Sequence, residues 1–174
     1  VQSGEGFIKS RHMDDKASAA VLLTLARAFS RAEAACDRPV YVLFTNYEEA
    51  GHGAAAGHPA GIRDMIAVDM GVVGDDLQTD EFRVSICAKD SGGPYNRELT
   101  GALADTAARL DLAYAVDIYP YYGSDTGAAL RAGCDYRHAL IGPGVAASHG
   151  YERVHEDGLW NTLLLLRGYL AEPV

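Results

Sequence analysis

Pro39-Val40-Tyr41-Val42-Leu43-Phe44 is a continuous apolar run, and Thr45-Asn46-Tyr47-Glu48-Glu49-Ala50-Gly51-His52-Gly53 follows it directly. An unbroken apolar run of this length predicts a strand that is buried on both faces of a parallel sheet. The two glycines predict a sharp turn, so Glu48 and Glu49 are expected at the carboxyl end of that strand. Open α/β sheets bind their ligands at this end.

The two neighbouring carboxylates have two possible explanations. Because side chains alternate across an extended strand, Glu48 and Glu49 are expected to point in different directions. One carboxylate is then able to bind a metal ion while the other acts as a general base toward water. In the second explanation, both carboxylates belong to an acidic loop and are only solvated. These residues alone leave both explanations open.

The composition is that of one globular domain. The chain has 174 residues, of which 48% are hydrophobic, and this length is sufficient to bury a core. Its net charge of −9 argues against a nucleic acid or an anionic membrane as a partner. No apolar run approaches the roughly 18 residues of a membrane span. The three widely spaced cysteines, Cys36, Cys87 and Cys134, are typical of a cytoplasmic protein and are expected to pack in the core.

Helical and strand patterns alternate along the rest of the chain. A helix is predicted from Lys16 to about Ala35, with Asp14 or Asp15 at its N-cap. Further helices are predicted from Pro94 to about residue 110, over 123–132 and around 159–170, and further strands over 63–71, 82–88, 115–118 and 137–142. The alternation predicts a three-layer α-β-α fold, in which helices cover both faces of a mostly parallel sheet.

Acidic residues and one histidine follow several of these strands. Strands that run into helices deliver their carboxyl ends to one edge of the sheet, so we expect these side chains to gather there. The group consists of Asp14, Glu49, Asp69 and His149, with Glu48 beside it. Crowded carboxylates cost free energy unless a cation neutralises them. Oxygen and imidazole ligands without thiolates suit zinc, cobalt or manganese, and a shared carboxylate is able to bridge two such ions.

Five short motifs follow one another in the chain: Met13-Asp14-Asp15-Lys16, Glu48-Glu49-Ala50-Gly51, Val68-Asp69-Met70-Gly71, Gly123-Ser124-Asp125-Thr126-Gly127 and Ser148-His149. In this order they resemble the two-metal aminopeptidases of metallopeptidase family forty-two, which include tetrahedral, glutamyl and deblocking enzymes. The resemblance covers nearly the whole chain. It implies a cytoplasmic homo-oligomeric enzyme that hydrolyses the N-terminal residues of peptides, with two divalent metal ions, zinc first and cobalt or manganese as alternatives.

The resemblance also implies a role for each matching residue. Asp14 matches a carboxylate that bridges both metal ions, Glu49 and His149 match ligands of one ion, and Asp69 matches a ligand of the other. His155 is the nearest competitor to His149.

Two further matches concern chemistry and substrate. Glu48 matches the general base that takes a proton from the attacking water and passes it to the leaving amine. Asp125 matches a residue near the substrate pocket.

One family ligand has no counterpart in this chain. Members of the family draw a further histidine from a His-x-Asp motif in an N-terminal part, and they carry a small lid domain. The resemblance therefore implies that residues 1–174 form a single domain, equivalent to the C-terminal part of the catalytic domain. We expect this chain to bind one metal ion or none, to be inactive alone, and to form smaller assemblies than its parent.

Two other functions compete with this interpretation. The first is a metal-dependent deacylase or amidohydrolase of the same superfamily, which would keep the ligands and change the pocket. The second is a non-catalytic assembly module, in which the acidic residues serve only as helix caps. Zinc-dependent stabilisation separates the second from the others, because an ion that binds only the folded state stabilises it by mass action.

Overall fold

A computed structural model describes residues 1–172 of the chain. Its four α-helices are α1 (Met13–Ser30), α2 (Arg97–Arg109), α3 (Asp125–Arg131) and α4 (Glu156–Ala171). The strands are β1 (Gln2–Gly4), β2 (Phe7–Ser10), β3 (Asp64–Val68), β4 (Gly71–Val72), β5 (Val84–Asp90), β6 (Gly93–Pro94), β7 (Tyr114–Ile118), β8 (Arg137–Val145) and β9 (Glu152–His155). A 3₁₀ turn spans Glu48–Ala50. None of these helices has the length and the hydropathy needed to cross a membrane.

The central sheet has six strands and is mixed. Its main path is β3-β8-β5-β6, while β4 pairs with β8 and β7 pairs with β5. β3 and β4 run parallel to β8, and β7 runs parallel to β5. β5 is antiparallel to both β8 and β6. The predicted α/β class is therefore confirmed, and the antiparallel β5–β8 pair in the middle makes the sheet mixed.

Alternation along β8 places neighbouring side chains in separate clusters of the core. Ile141 belongs to the larger cluster, in which Leu25 of α1, Leu103 of α2 and Leu165 of α4 cover one face of the sheet. The preceding residue, Leu140, points to the opposite face and packs in a separate cluster. Successive strand residues face opposite sides, so one continuous apolar strand supplies both layers. Complete burial of each such leucine contributes about 1.5–3 kcal/mol.

A second, three-stranded antiparallel sheet joins the two ends of the chain. β2 pairs with β1 on one side and with β9 on the other, and Ser10 lies opposite Glu152. This pairing brings the start of α1 beside the segment that precedes β9. The sequence predicts only a connection over 148–157 and gives no signal for β9.

The predicted buried strand over 39–44 is wrong. These residues form no strand within the described chain, and their apolar side chains are between 37% exposed (Val42) and 61% exposed (Tyr41). The run borders a cleft together with Ile66 of β3, but β3 pairs only with β8 among residues 1–172. Strand formation needs a hydrogen-bonded partner as well as apolar side chains, and the sequence pattern tests only the second requirement.

Two predicted boundaries also differ. α1 ends at Ser30 instead of about residue 35. Pro94 lies in a strand that pairs with β5, and α2 begins only at Arg97. Its start is set by Asn96, whose side chain accepts a hydrogen bond from the Leu99 amide at 3.0 Å. Asparagine is a strong N-cap, so it outweighs the preference of proline for a first helical turn.

Candidate metal centre

The structure brings together three of the residues that the sequence analysis selected. Ligand atoms of Asp14, Glu49 and His149 lie within 4.8 Å of one another. His149 Nε2 is 3.2 Å from Glu49 Oε2 and 3.5 Å from Asp14 Oδ2. The Asp14 side chain is only 8% exposed, whereas the side chain of His149 is 72% exposed. The group therefore opens to solvent on the side of Glu49 and His149.

A second group shares one residue with the first. Ligand atoms of Asp14, Asp15 and Asp69 also lie within 4.8 Å of one another. Asp14 thus stands between the two groups, and Asp69 is held just beyond β3 by a hydrogen bond from its amide to the Ile141 carbonyl at 2.9 Å. Asp15 is a site residue that the sequence analysis missed. Its signal was the pair of adjacent acids before α1, of which a helix cap explains only one.

The backbone at this point explains why both aspartates reach the site. Asp14 and Asp15 have non-helical φ and ψ angles, and the N-cap position is occupied by His12 without a side-chain cap bond. Regular helical backbone therefore starts after Asp15, where the sequence predicts an aspartate N-cap, and the Ser18 amide three residues on lies close enough to stabilise the Asp15 carboxylate. Ligand atoms of both carboxylates come within 4.8 Å of Asp69 at the edge of the sheet.

The carboxylates of this edge are electrostatically crowded. Burial, together with the negative charge of Asp14, raises the pKa of Asp15 to about 8. Burial and the charges of Asp15 and Asp14 hold the pKa of Asp69 well above its usual value. Burial, followed by the charges of Asp125 and Glu49, raises the pKa of Glu48 to about 7. Like charges in a poorly solvated site oppose one another's ionisation.

A divalent cation fits this arrangement. Asp15 Oδ1 is buried and has no hydrogen-bond partner. Among residues 1–172, no lysine or arginine forms a salt bridge with Asp14, Asp15, Glu49 or Asp69. A bound cation would give the orphaned oxygen a partner and would offset the repulsion among the carboxylates.

Glu48 occupies a different position from Glu49. The two residues lie in the 3₁₀ turn Glu48–Ala50, not on an extended strand, so the predicted reason for their divergence is wrong. A 3₁₀ helix has about three residues per turn, and neighbouring side chains therefore point about 120° apart. Glu48 is half-buried and lines a cleft of about 460 Å³ with Asp15 and Asp69.

Asp125 lines the same cleft and holds the acidic segment in place. Its Oδ2 atom accepts a hydrogen bond from the Thr45 hydroxyl at 2.5 Å, and its Oδ1 atom accepts one from the Ala54 amide at 3.1 Å. These two donors flank the turn that carries Glu48 and Glu49. Asp125 thus lies in the cleft beside Glu48, and its predicted role near a substrate pocket stays a prediction.

The competing histidine lies elsewhere. His155 is 8% exposed and packs against Phe7 and Phe82, with ring centroids 4.7 and 4.4 Å away. Its side chain accepts a hydrogen bond from the Asp157 amide at 3.1 Å and caps α4. Of the two histidines, only His149 joins the carboxylates.

The fold and the site define an α/β protein with a carboxylate–histidine centre at one edge of its sheet. A model of the M42 glutamyl aminopeptidase family matches residues 1–165. The chain belongs to this family. The resemblance inferred from the five motifs is therefore confirmed.

Individual relatives agree with this assignment. The chain is 45% identical over 172 residues to YhfE of Bacillus subtilis (strain 168), a provisionally named aminopeptidase; the match covers 99% of this chain and 50% of that protein. An aminopeptidase from the archaeon Desulfurococcus kamchatkensis has a similar structure, with a TM-score of 0.83, 18% identity, and coverage of 99% of this chain and 51% of the other. The TET1 peptidase of Pyrococcus horikoshii gives a TM-score of 0.83 at 19% identity, with coverage of 96% and 51%. The chain spans about half the length of each.

Proposed function

We propose that this chain carries the metal-binding edge of an aminopeptidase that removes N-terminal residues from peptides. The observation that carries the proposal is the meeting of Asp14, Glu49 and His149, which come from three distant segments, within 4.8 Å. Membership of the M42 family supports peptide hydrolysis as the reaction. The residues form a single domain in this proposal, as part of a longer enzyme.

Each site residue has a role in this proposal. Asp14, Glu49 and His149 would hold one divalent ion, and Asp14 and Asp69 would contribute to a second. Donors of this type suit zinc, with cobalt and manganese as the nearest alternatives. When bound, such an ion polarises a carbonyl group and lowers the pKa of water.

The chain's own groups then handle the proton and the substrate. Glu48, which faces the cleft beside the ligands, takes a proton from the attacking water and delivers it to the leaving amine. Asp125 lies across the same cleft, and we assign it to the peptide side of the site. Its hydrogen bonds to Thr45 and Ala54 keep the turn with Glu48 close to the ligands.

The proposal extends to assembly and compartment. We propose a homo-oligomer, since the related TET1 peptidase of Pyrococcus horikoshii assembles into a tetrahedron or an octahedral shell. We also propose a cytoplasmic location. Cys36, Cys87 and Cys134 are all free thiols in the structure, which suits a reducing compartment.

Calorimetric titration of the metal-stripped chain with zinc tests the metal site. We expect about one ion per chain, and we expect Glu49→Ala and His149→Ala each to abolish binding. His58→Ala is the matched control, because this histidine bonds to Tyr136 and Cys134, outside the site. Binding that survives both ligand substitutions would refute the assignment. If zinc and cobalt bind the full-length enzyme but not this chain, the further family histidine is needed to assemble the site; if they bind neither protein, the non-catalytic module becomes the better explanation.

Activity distinguishes the remaining alternatives. In the full-length enzyme, Glu48→Gln is expected to lower kcat on an N-terminal aminoacyl substrate about 10²–10⁴-fold, the usual contribution of general acid–base catalysis. An enzyme that cleaves acylated amino acids and leaves free N-termini intact would instead be the deacylase.

A further inference from the structure

Glu152 is a buried carboxylate that forms no salt bridge within residues 1–172, but both of its oxygens accept hydrogen bonds from backbone amides. It lies at the start of β9 and is 2% exposed. Its Oε2 atom accepts hydrogen bonds from two backbone amides, those of Met13 and Asp14, the latter at 3.0 Å. Its Oε1 atom accepts a hydrogen bond from the His149 amide at 2.8 Å.

These three donors belong to the two segments that carry the proposed ligands. Asp14 and His149 are 135 positions apart, and neither lies in regular backbone at this point. Asp14 has non-helical angles at the kink in the first turn of α1, and His149 has a φ angle of 65°, in the left-handed region that non-glycine residues seldom adopt. Local secondary structure therefore does not hold either ligand in place.

The Glu152 carboxylate holds the two ligand segments in place, which the secondary structure does not do. Each oxygen of Glu152 holds one segment, so the side chain fixes the distance between the backbone of Asp14 and that of His149. Hydrogen bonds to an ionised acceptor are about twice as strong as those between neutral groups. A further bond, from the Ser148 hydroxyl to Asp14 Oδ2 at 2.8 Å, joins the same two segments.

We infer that Glu152 is a positioning residue for the metal centre, which aligns Asp14 and His149 so that both reach one ion. This inference rests on the proposed function. Glu152 does not touch the ion or the substrate; it acts through the backbone of two ligands. Loss of such supporting groups commonly lowers metal affinity about 10–100-fold.

The substitution Glu152→Gln tests this role. Glutamine keeps one acceptor oxygen and replaces the other with an amino group, which cannot accept a hydrogen bond from an amide. At least one ligand segment therefore loses its anchor, while the volume of the side chain is unchanged. We expect the zinc dissociation constant of the metal-stripped chain to rise about tenfold or more.

Glu81→Gln is the matched control. Glu81 is also buried, at 6% exposure, and accepts two hydrogen bonds from Arg153, the next residue along β9. This control removes a buried carboxylate beside the same strand without touching a ligand segment. We expect it to change the zinc dissociation constant by less than about twofold, whatever its effect on thermal stability.

The outcomes separate the inference from the proposed function. If the wild type binds no zinc, the metal centre is refuted and the role of Glu152 falls with it. If wild type and Glu152→Gln bind zinc equally, or if Glu81→Gln weakens zinc binding as much as Glu152→Gln does, the positioning role of Glu152 is refuted and the metal centre is not. Should Glu152→Gln fail to fold, amide hydrogen exchange in the metal-free wild type decides: slow exchange of the Asp14 and His149 amides supports the inference, and exchange at the rate of exposed loops overturns it.

Discussion

The methyl group added by Gly142→Ala is expected to disturb the candidate metal centre by displacing the backbone of Asp69. Gly142 lies in β8 where this strand passes the end of β3. A Cβ atom at this position would overlap the Asp69 carbonyl group, 2.5 Å from its carbon, and would stand 2.9 Å from Met70 Cα. Non-bonded carbon atoms approach to about 3.5 Å, so the backbone of Asp69 has to move by about 1 Å in Gly142→Ala.

That movement cannot be absorbed locally. The Asp69 amide is bonded to the Ile141 carbonyl, and the Asp69 carbonyl accepts a hydrogen bond from the Ser18 hydroxyl. Adding a methyl group to a closely packed interior costs about 1–3 kcal/mol. In a chain of this length, each kcal/mol lowers the Tm by about 2–4 °C. We therefore expect Gly142→Ala to lower the Tm by roughly 2–12 °C.

Thermal unfolding followed by circular dichroism measures this change, and Gly101→Ala is its control. Gly101 lies inside α2, and a Cβ atom there would meet no atom within 4 Å. The same chemical change is expected to stabilise the protein by about 0.4–1 kcal/mol, because alanine favours the helix and restricts the unfolded chain. A Gly142→Ala protein that unfolds at or above the wild-type temperature would refute the reasoning.

Two further outcomes follow from burial. Burial lowers the pKa of His138 below its usual value of 6.5, so the unfolded chain binds a proton at this histidine more tightly than the folded chain does. The contribution of His138 to the free energy of unfolding is therefore fully present above about pH 7 and is lost as the pH drops toward the pKa of the folded state. Unfolding curves from pH 7 to 5 should therefore show a shallower loss for His138→Gln than for the wild type, and an equal or steeper loss would contradict this. Burial also raises the pKa of the Cys87 thiol to about 12, so a thiol reagent at pH 8 should label Cys36 and Cys134 in the folded chain and Cys87 only after unfolding; rapid labelling of all three would contradict the structure.

Patterns within one segment were sufficient for most of the fold. The apolar and polar spacing predicted α4, β7 and the first part of β8, up to residue 142; in the structure β8 continues to Val145. The spacing failed for residues 39–44. Their composition suits a strand, but the edge of β3 beside them forms no strand pairing with them, and composition does not show which segments pair. The spacing also missed β9, whose four residues form a strand by pairing with the distant β2.

The site shows the same division. The sequence order of acids and His149 after strand ends predicted the group that the structure brings together. It did not predict Asp15 as a member, because an aspartate before a helix is normally explained as a cap. It gave no indication of Glu152, because a carboxylate that accepts hydrogen bonds from the backbone has no motif of its own.

The sequence by itself determined the α/β class, the family and the candidate ligands that the structure brings together, since these depend on residue type and order along the chain. The tertiary structure alone decided which strands find partners, which carboxylates are buried together, and that Glu152 connects Asp14 to His149. These features arise from contacts between distant segments, such as that between Met13 and Glu152, which are 139 positions apart. Hydrogen bonding and desolvation depend on such neighbours, and local patterns of residues do not contain them.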